Sequence, residues 1–194
     1  MNLIKHTFRL TALMLATLVL TSCSKDDDST TNPNTNNSVN IEEGRITFDI
    51  SNFENTTMNG DVEYFLNNSY PTKYFSISNV ESMMHNDRMW GILIEQHSND
   101  DIVLPQPGEY PIVQGLANTY DQTSFNITVS MFTDTMTDTG LHFGGNSGDI
   151  TGTLKIVSIT NNIVKGTFNF EAYASSGQKI IVTNGKFAAP KHSW

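Results

Sequence analysis

From residue 41 onward the chain alternates apolar and polar side chains with a period of two. Arg45-Ile46-Thr47-Phe48-Asp49-Ile50-Ser51 keeps the alternation without a break, as does Ser124-Phe125-Asn126-Ile127-Thr128-Val129-Ser130-Met131; residues 73–78 and 167–172 repeat it. Successive side chains of a strand point to opposite faces, so this pattern predicts strands with one face buried and one wet. Half-wet strands belong to antiparallel sheets, because parallel sheets are covered on both faces and read as unbroken apolar runs. Further strands are predicted at 63–67, 90–96, 110–113, 152–159 and 179–183. Trp90-Gly91-Ile92-Leu93-Ile94 is apolar on both parities and predicts a central strand with both faces covered. Val80, Met83 and Met84 have the spacing of one helical turn.

Turn formers separate these runs: Asn59-Gly60, Pro105-Gln106-Pro107-Gly108, Gly144-Gly145-Asn146, Asn161-Asn162, Ser176-Gly177 and Asn184-Gly185. Short strands with such punctuation predict an all-β antiparallel β-sandwich, with a lipocalin-like β-barrel as the alternative. Asn161-Asn162 lies between two strand patterns, and Asn tolerates the positive φ of a tight hairpin. Residues 150–188 are therefore expected to form a three-stranded antiparallel meander that closes the domain.

The first 40 residues follow other rules. Lys5, His6 and Arg9 precede an apolar run from Leu10 to Leu20, and Leu20-Thr21-Ser22-Cys23 follows. A basic leader, an apolar run of about 11 residues and small residues before a cleavage point make a secretory signal, too short to span a bilayer, which needs roughly 20 residues. Residues 1–22 are thus expected to be a signal peptide. Residues 23–40 (Ser, Thr, Asn and acids, with no large apolar side chain before Val39) cannot recover the entropy cost of ordering and are expected to form a tether. As a flexible linker this spans about 20–25 Å. The β domain is assigned to 41–190 and a short tail to 191–194.

Leu-Thr-Ser-Cys resembles the lipobox of bacterial lipoproteins. That resemblance implies a lipid on Cys23, the only cysteine in the chain, and a membrane partner through that anchor. Cys-Ser-Lys-Asp-Asp-Asp at 23–28 is similar to the export signal of surface lipoproteins of the Bacteroidota, implying an outer-membrane protein facing outward, with a periplasm-facing anchor as the alternative. Gly152-Thr153-Leu154-Lys155-Ile156, Gly166-Thr167-Phe168-Asn169-Phe170 and Thr183-Asn184-Gly185-Lys186-Phe187 resemble the ending of a family of small Bacteroidota lipoproteins of unknown function, which brings no catalytic residues with it.

Charge narrows the partners. Eleven Lys and Arg stand against twenty acids, a net charge of -9. Removal of residues 1–22 takes Lys5 and Arg9 but no acid, leaving 9 against 20, or -11. Such a surface repels phosphate backbones, so nucleic acid is not an expected partner.

Candidate chemistry is sparse. His85, His97, His142 and His192 have no zinc-type spacing and are expected in loops or on the surface. Asp134 and Asp138 are the best calcium candidates, in a loop without EF-hand spacing. There is no Gly-x-Ser-x-Gly elbow, and Glu63, Glu95, Glu109 and Glu171 cannot be paired across a cleft from sequence, so no catalytic residue or cofactor is assigned. The remaining signal is aromatic. Tyr64, Phe65, Tyr70, Tyr74 and Phe75 surround Pro71, Trp90 follows, and Asn67 and Asn68 lie beside them. Exposed rings stack on sugar rings while amides bond hydroxyls, so Tyr64, Tyr70, Tyr74 and Trp90 are the candidate ligand-binding residues, with core packing as the competing role. The expected function is non-catalytic binding of a glycan or small ligand at the cell surface. The alternatives are a partner-binding subunit of an envelope complex and, behind it, a hydrolase.

Overall fold

Residues 38–69, 71, 73–133 and 140–193 are described by a computed structural model. The alternation read from the sequence becomes eleven strands among the described residues: β1 (Arg45–Ser51), β2 (Thr56–Asn67), β3 (Lys73–Asn79), β4 (Met83–His85), β5 (Arg88–Ser98), β6 (Gly108–Ile112), β7 (Asn126–Thr133), β8 (Leu141–Gly144), β9 (Ile150–Thr160), β10 (Ile163–Tyr173) and β11 (Lys179–Pro190). A single turn of 3-10 helix spans Leu116–Thr119. All pairings between these strands are antiparallel, in the order β6-β9-β10-β11-β1-β2-β3-β5-β7-β8, with β4 added beside β5.

The sheet curls into a half-barrel. Among the described residues no strand ladder joins its ends, which meet through isolated bridges, Ile112 with Phe125 and Phe143 with Ala174. Bulges let the long strands coil: register shifts fall between Thr47 and Asp49 on β1, and between Phe168 and Phe170 on β10. One inner face packs on the other, giving the two-layered core of a sandwich on one continuous sheet. Tyr110 meets Phe125 edge-on at 5.2 Å, and Phe53 meets Phe143 at 5.4 Å and Trp90 at 6.4 Å. On β1 the buried residues are Ile46, Phe48 and Ile50, the inward parity expected from the sequence.

The C-terminal meander forms as expected, with β9, β10 and β11 in sequence order. Asn161 and Asn162 make its first turn at φ 53° and 60°, the left-handed pair that suits a two-residue hairpin. Three expectations need correction. Asn59-Gly60 is no turn, since β2 runs straight through it; glycine is needed there because a Cβ would lie 2.6 Å from Met83 Cγ. Asn184-Gly185 likewise lies inside β11, where Asn184 at φ 54° marks the bulge. Residues 83–85 form strand β4 rather than a helical turn, because Asn86 and Asp87 at φ 50° and 58° close a tight hairpin onto β5. Past β11, Lys191 N donates to Asn162 O, and His192 N donates to Tyr64 O at 2.8 Å.

Candidate functional site

Strand parity decides the aromatic cluster. Tyr64 and Phe65 are neighbours in β2 and point to opposite faces, as do Tyr74 and Phe75 in β3. Tyr64 and Trp90 are each 1% exposed and belong to the core. They are therefore not ligand platforms, a correction to the expected site. Burial pushes the Tyr64 phenol above its ordinary pKa, and Trp90 stacks on Phe143 at 6.5 Å. The indole Nε1 of Trp90 has no partner among the described residues. Tyr70 lies outside the described residues, as do Cys23, Asp134 and Asp138. Only Tyr74 of the expected four is placed on the outer face.

Around Tyr74 the register assembles a site that the sequence did not. Phe65 pairs with Ser76 and Ser76 with Glu95; Asn67 pairs with Tyr74 and Tyr74 with His97; Ser78 pairs with Leu93. Being two apart along each strand, these residues share the outer face of β2, β3 and β5. They line a groove of about 380 Å³ with Phe65, Tyr74 and Leu93 as its apolar parts and Ser76, Ser78, Glu95 and His97 as its polar ones. Ser76 is 5% exposed although it lies on the outer face. No hydrogen bond from its hydroxyl to the protein is found among the described residues. Glu95 accepts a single bond through Oε2, from His97 Nε2 at 3.2 Å when that nitrogen carries the proton. Its side chain is 14% exposed.

Neighbouring segments hold His97 in place. Its backbone N donates to the Thr119 hydroxyl at 3.1 Å, while Gln96 on the inner face ties down the segment before β7 through Gln122 O and Ser124 O. The His97 ring lies 6.1 Å from Tyr74 and 5.8 Å from the half-exposed Tyr120. A second depression, sharing Phe65 and Tyr74 with the first, is bordered by Asn67, Lys191 and His192. There His192 rests on the Phe65 ring at 4.4 Å and bonds Glu63 through Nδ1 at 2.5 Å.

Other expectations fare differently. Asn68 does not face a ligand; its amide grips the backbone of Ile102 with bonds of 3.0 and 2.7 Å. Trp90–Ile94 is not covered on both faces, since Leu93 is half-buried at the groove. His97, expected in a loop or on the surface, is a nearly buried residue of β5, while His85 lies partly exposed in β4. His142 is in β8 and meets the Ser130 hydroxyl at 2.8 Å, without a carboxylate partner among the described residues. No group of three or more His, Cys, Asp or Glu positioned for a metal ion occurs among the described residues. Sequence reasoning missed Ser76, His97 and Tyr120; counting parity outward from Phe65 would have found the first two once the strand order was known.

Fold and site together define an all-β protein that carries an aromatic-walled, polar-floored groove on the outside of its curled sheet. A scan against protein-family models, a search of curated proteins and a search of solved structures each return no match to this chain.

Proposed function

We propose that this chain is a lipid-anchored cell-envelope protein whose β domain binds saccharide, without catalysis, in the Phe65–Tyr74 groove. The observation that carries the reading is Ser76, a residue 5% exposed whose hydroxyl bonds none of the described residues, set beside two rings and a carboxylate on an otherwise solvated face. Ligand sites typically combine apolar walls with a few well-placed polar groups. Sugars match both, with one face of C–H groups for the rings and hydroxyls for Ser76, Glu95 and His97. The anchor rests on Leu20-Thr21-Ser22-Cys23 and the acidic stretch after it, which support export and attachment at the outer membrane with the domain facing outward.

Retention of the chain on a panel of immobilised polysaccharides tests the binding. The double variant Phe65→Ala, Tyr74→Ala is expected to lose retention by tenfold or more, an effect of about 1.4 kcal/mol or greater, while remaining folded. Equal retention by the variant would refute the groove. Cys23→Ala tests the anchor: it should move the protein out of membrane pellets, and unchanged sedimentation would count against lipidation.

A further inference from the structure

Resting on the saccharide reading, we infer that the preferred ligand is a saccharide bearing a free, protonated amine, with its ammonium group seated against Glu95 and Ser76 between the rings of Phe65 and Tyr74. The groove's composition points there. Its titratable lining is Tyr74, Glu95 and His97, with no lysine or arginine. Lys73, the nearest cation along β3, is occupied by Asp101 at 2.9 Å. Arg45 and Arg88 bond Asp61 and Glu54 elsewhere on the surface. Lys191 and His192 border the neighbouring depression instead.

Glu95 therefore has acceptor capacity to spare. A carboxylate offers about four lone-pair sites, and among the described residues only Oε2 is engaged, by His97. Oε1 remains for a donor in the groove. Ser76 adds an oxygen that can accept from the same donor. An ammonium has three N–H donors and no acceptor, the complement of this set. The faces of Phe65 and Tyr74 carry negative quadrupole charge, which also favours a cation. A uronate or sulfate group would meet Glu95 with like charge. The net charge of -9 raises the local concentration of cations over anions around the whole molecule.

Calorimetric titration of the full chain with three oligosaccharides separates the possibilities: a β-1,4-linked glucosamine oligomer, its fully N-acetylated counterpart and a glucose oligomer of the same linkage. At a pH where the amine is protonated, the glucosamine oligomer should bind about tenfold or more tighter than the other two, the size expected for a hydrogen bond to a charged group. Glu95→Gln should abolish that preference, bringing the affinity for the glucosamine oligomer to that for the neutral oligomers. Ser76→Ala, a smaller change, should reduce the preference in part, and melting temperatures report whether either variant has simply lost its fold. If the neutral oligomers bind as tightly as the amine form, or Glu95→Gln keeps the preference, the ammonium assignment is overturned while the saccharide groove stands. If no oligomer binds, or a lysine peptide binds in their place, the saccharide reading falls and the assignment with it.

Discussion

The outer face of β9, β10, β11 and β1 and the outer face of β2, β3 and β5 are built on the same alternation but treat their polar groups in opposite ways. On the first, charged and polar side chains satisfy one another in water. Lys179 pairs with Glu171 at 2.6 Å, and its pKa is raised chiefly by that hydrogen bond. Asp49 accepts bonds from Thr57 and Asn184. On the second, Ser76 and His97 are almost buried beside half-buried rings, and Glu95 retains an oxygen without a partner among the described residues. Exposed ion pairs add little to stability and call for no ligand. The polar atoms of the groove stay accessible between apolar walls, the combination that ligand sites use, which marks where the molecule is shaped for something besides folding.

Breaking the core under the first face should cost the most stability and leave binding alone. Phe168 is 2% exposed and packs on Phe48, Phe170 and Phe187 at 5.7, 6.1 and 6.3 Å. Phe168→Ala should destabilise the domain by about 3–5 kcal/mol, read as a lower urea midpoint. Saccharide retention, measured where the variant is still folded, should equal that of the unaltered chain. A selective loss of retention would show that the two faces are not independent.

Trp90 tests the boundary between core and groove on a single strand. Trp90→Phe removes buried area but also deletes an indole N–H that has no partner among the described residues. These effects oppose each other, so the expected cost is about 1 kcal/mol, well below that of a ring removed outright. Retention should again be unaffected, because Trp90 faces inward while Leu93, Glu95 and His97 face the groove. Reduced retention would restore Trp90 as a ligand residue.

Strand parity also separates what the sequence could convey from what it could not. Unbroken alternation at 45–51 and 124–131 made the antiparallel all-β class legible, and Asn161-Asn162 made the meander legible, because both are local signals. Asn59-Gly60 and Asn184-Gly185 misled as turns, since the same dipeptide chemistry serves a close approach by Met83 and a bulge opposite Phe168. The groove was illegible because it lies across strands. Phe65, Ser76 and Glu95 become neighbours only once β2 pairs with β3 and β3 with β5. Density of rings along the chain was a poor guide to exposure; of the adjacent pair Tyr64 and Phe65, only one can ever face out.

The smallest expected effect lies at Asp49, where the first face shows how polar groups serve folding alone. Its carboxylate joins three strands, accepting from Thr57 Oγ1 on β2 at 2.5 Å and from Asn184 Nδ2 on β11 at 2.8 Å. These bonds, that from Asn184 foremost, then Thr57, hold its pKa below the usual carboxylate value, with a lesser contribution from the Lys186 charge. A lowered folded pKa means that the unfolded chain takes up the proton first as pH falls. The stabilisation is therefore complete above the ordinary carboxylate pKa and disappears as pH drops through the lowered folded one. Asp49→Asn should lower stability at neutral pH by only about 0.5–1 kcal/mol, since the site is open to solvent. It should also flatten the acid limb of a plot of urea midpoint against pH, and Asn184→Ala should flatten it in part. An acid limb identical in all three proteins would show that the bonds bridging the bulge add nothing. The bulge would then depend on the backbone preference of Asn184 alone.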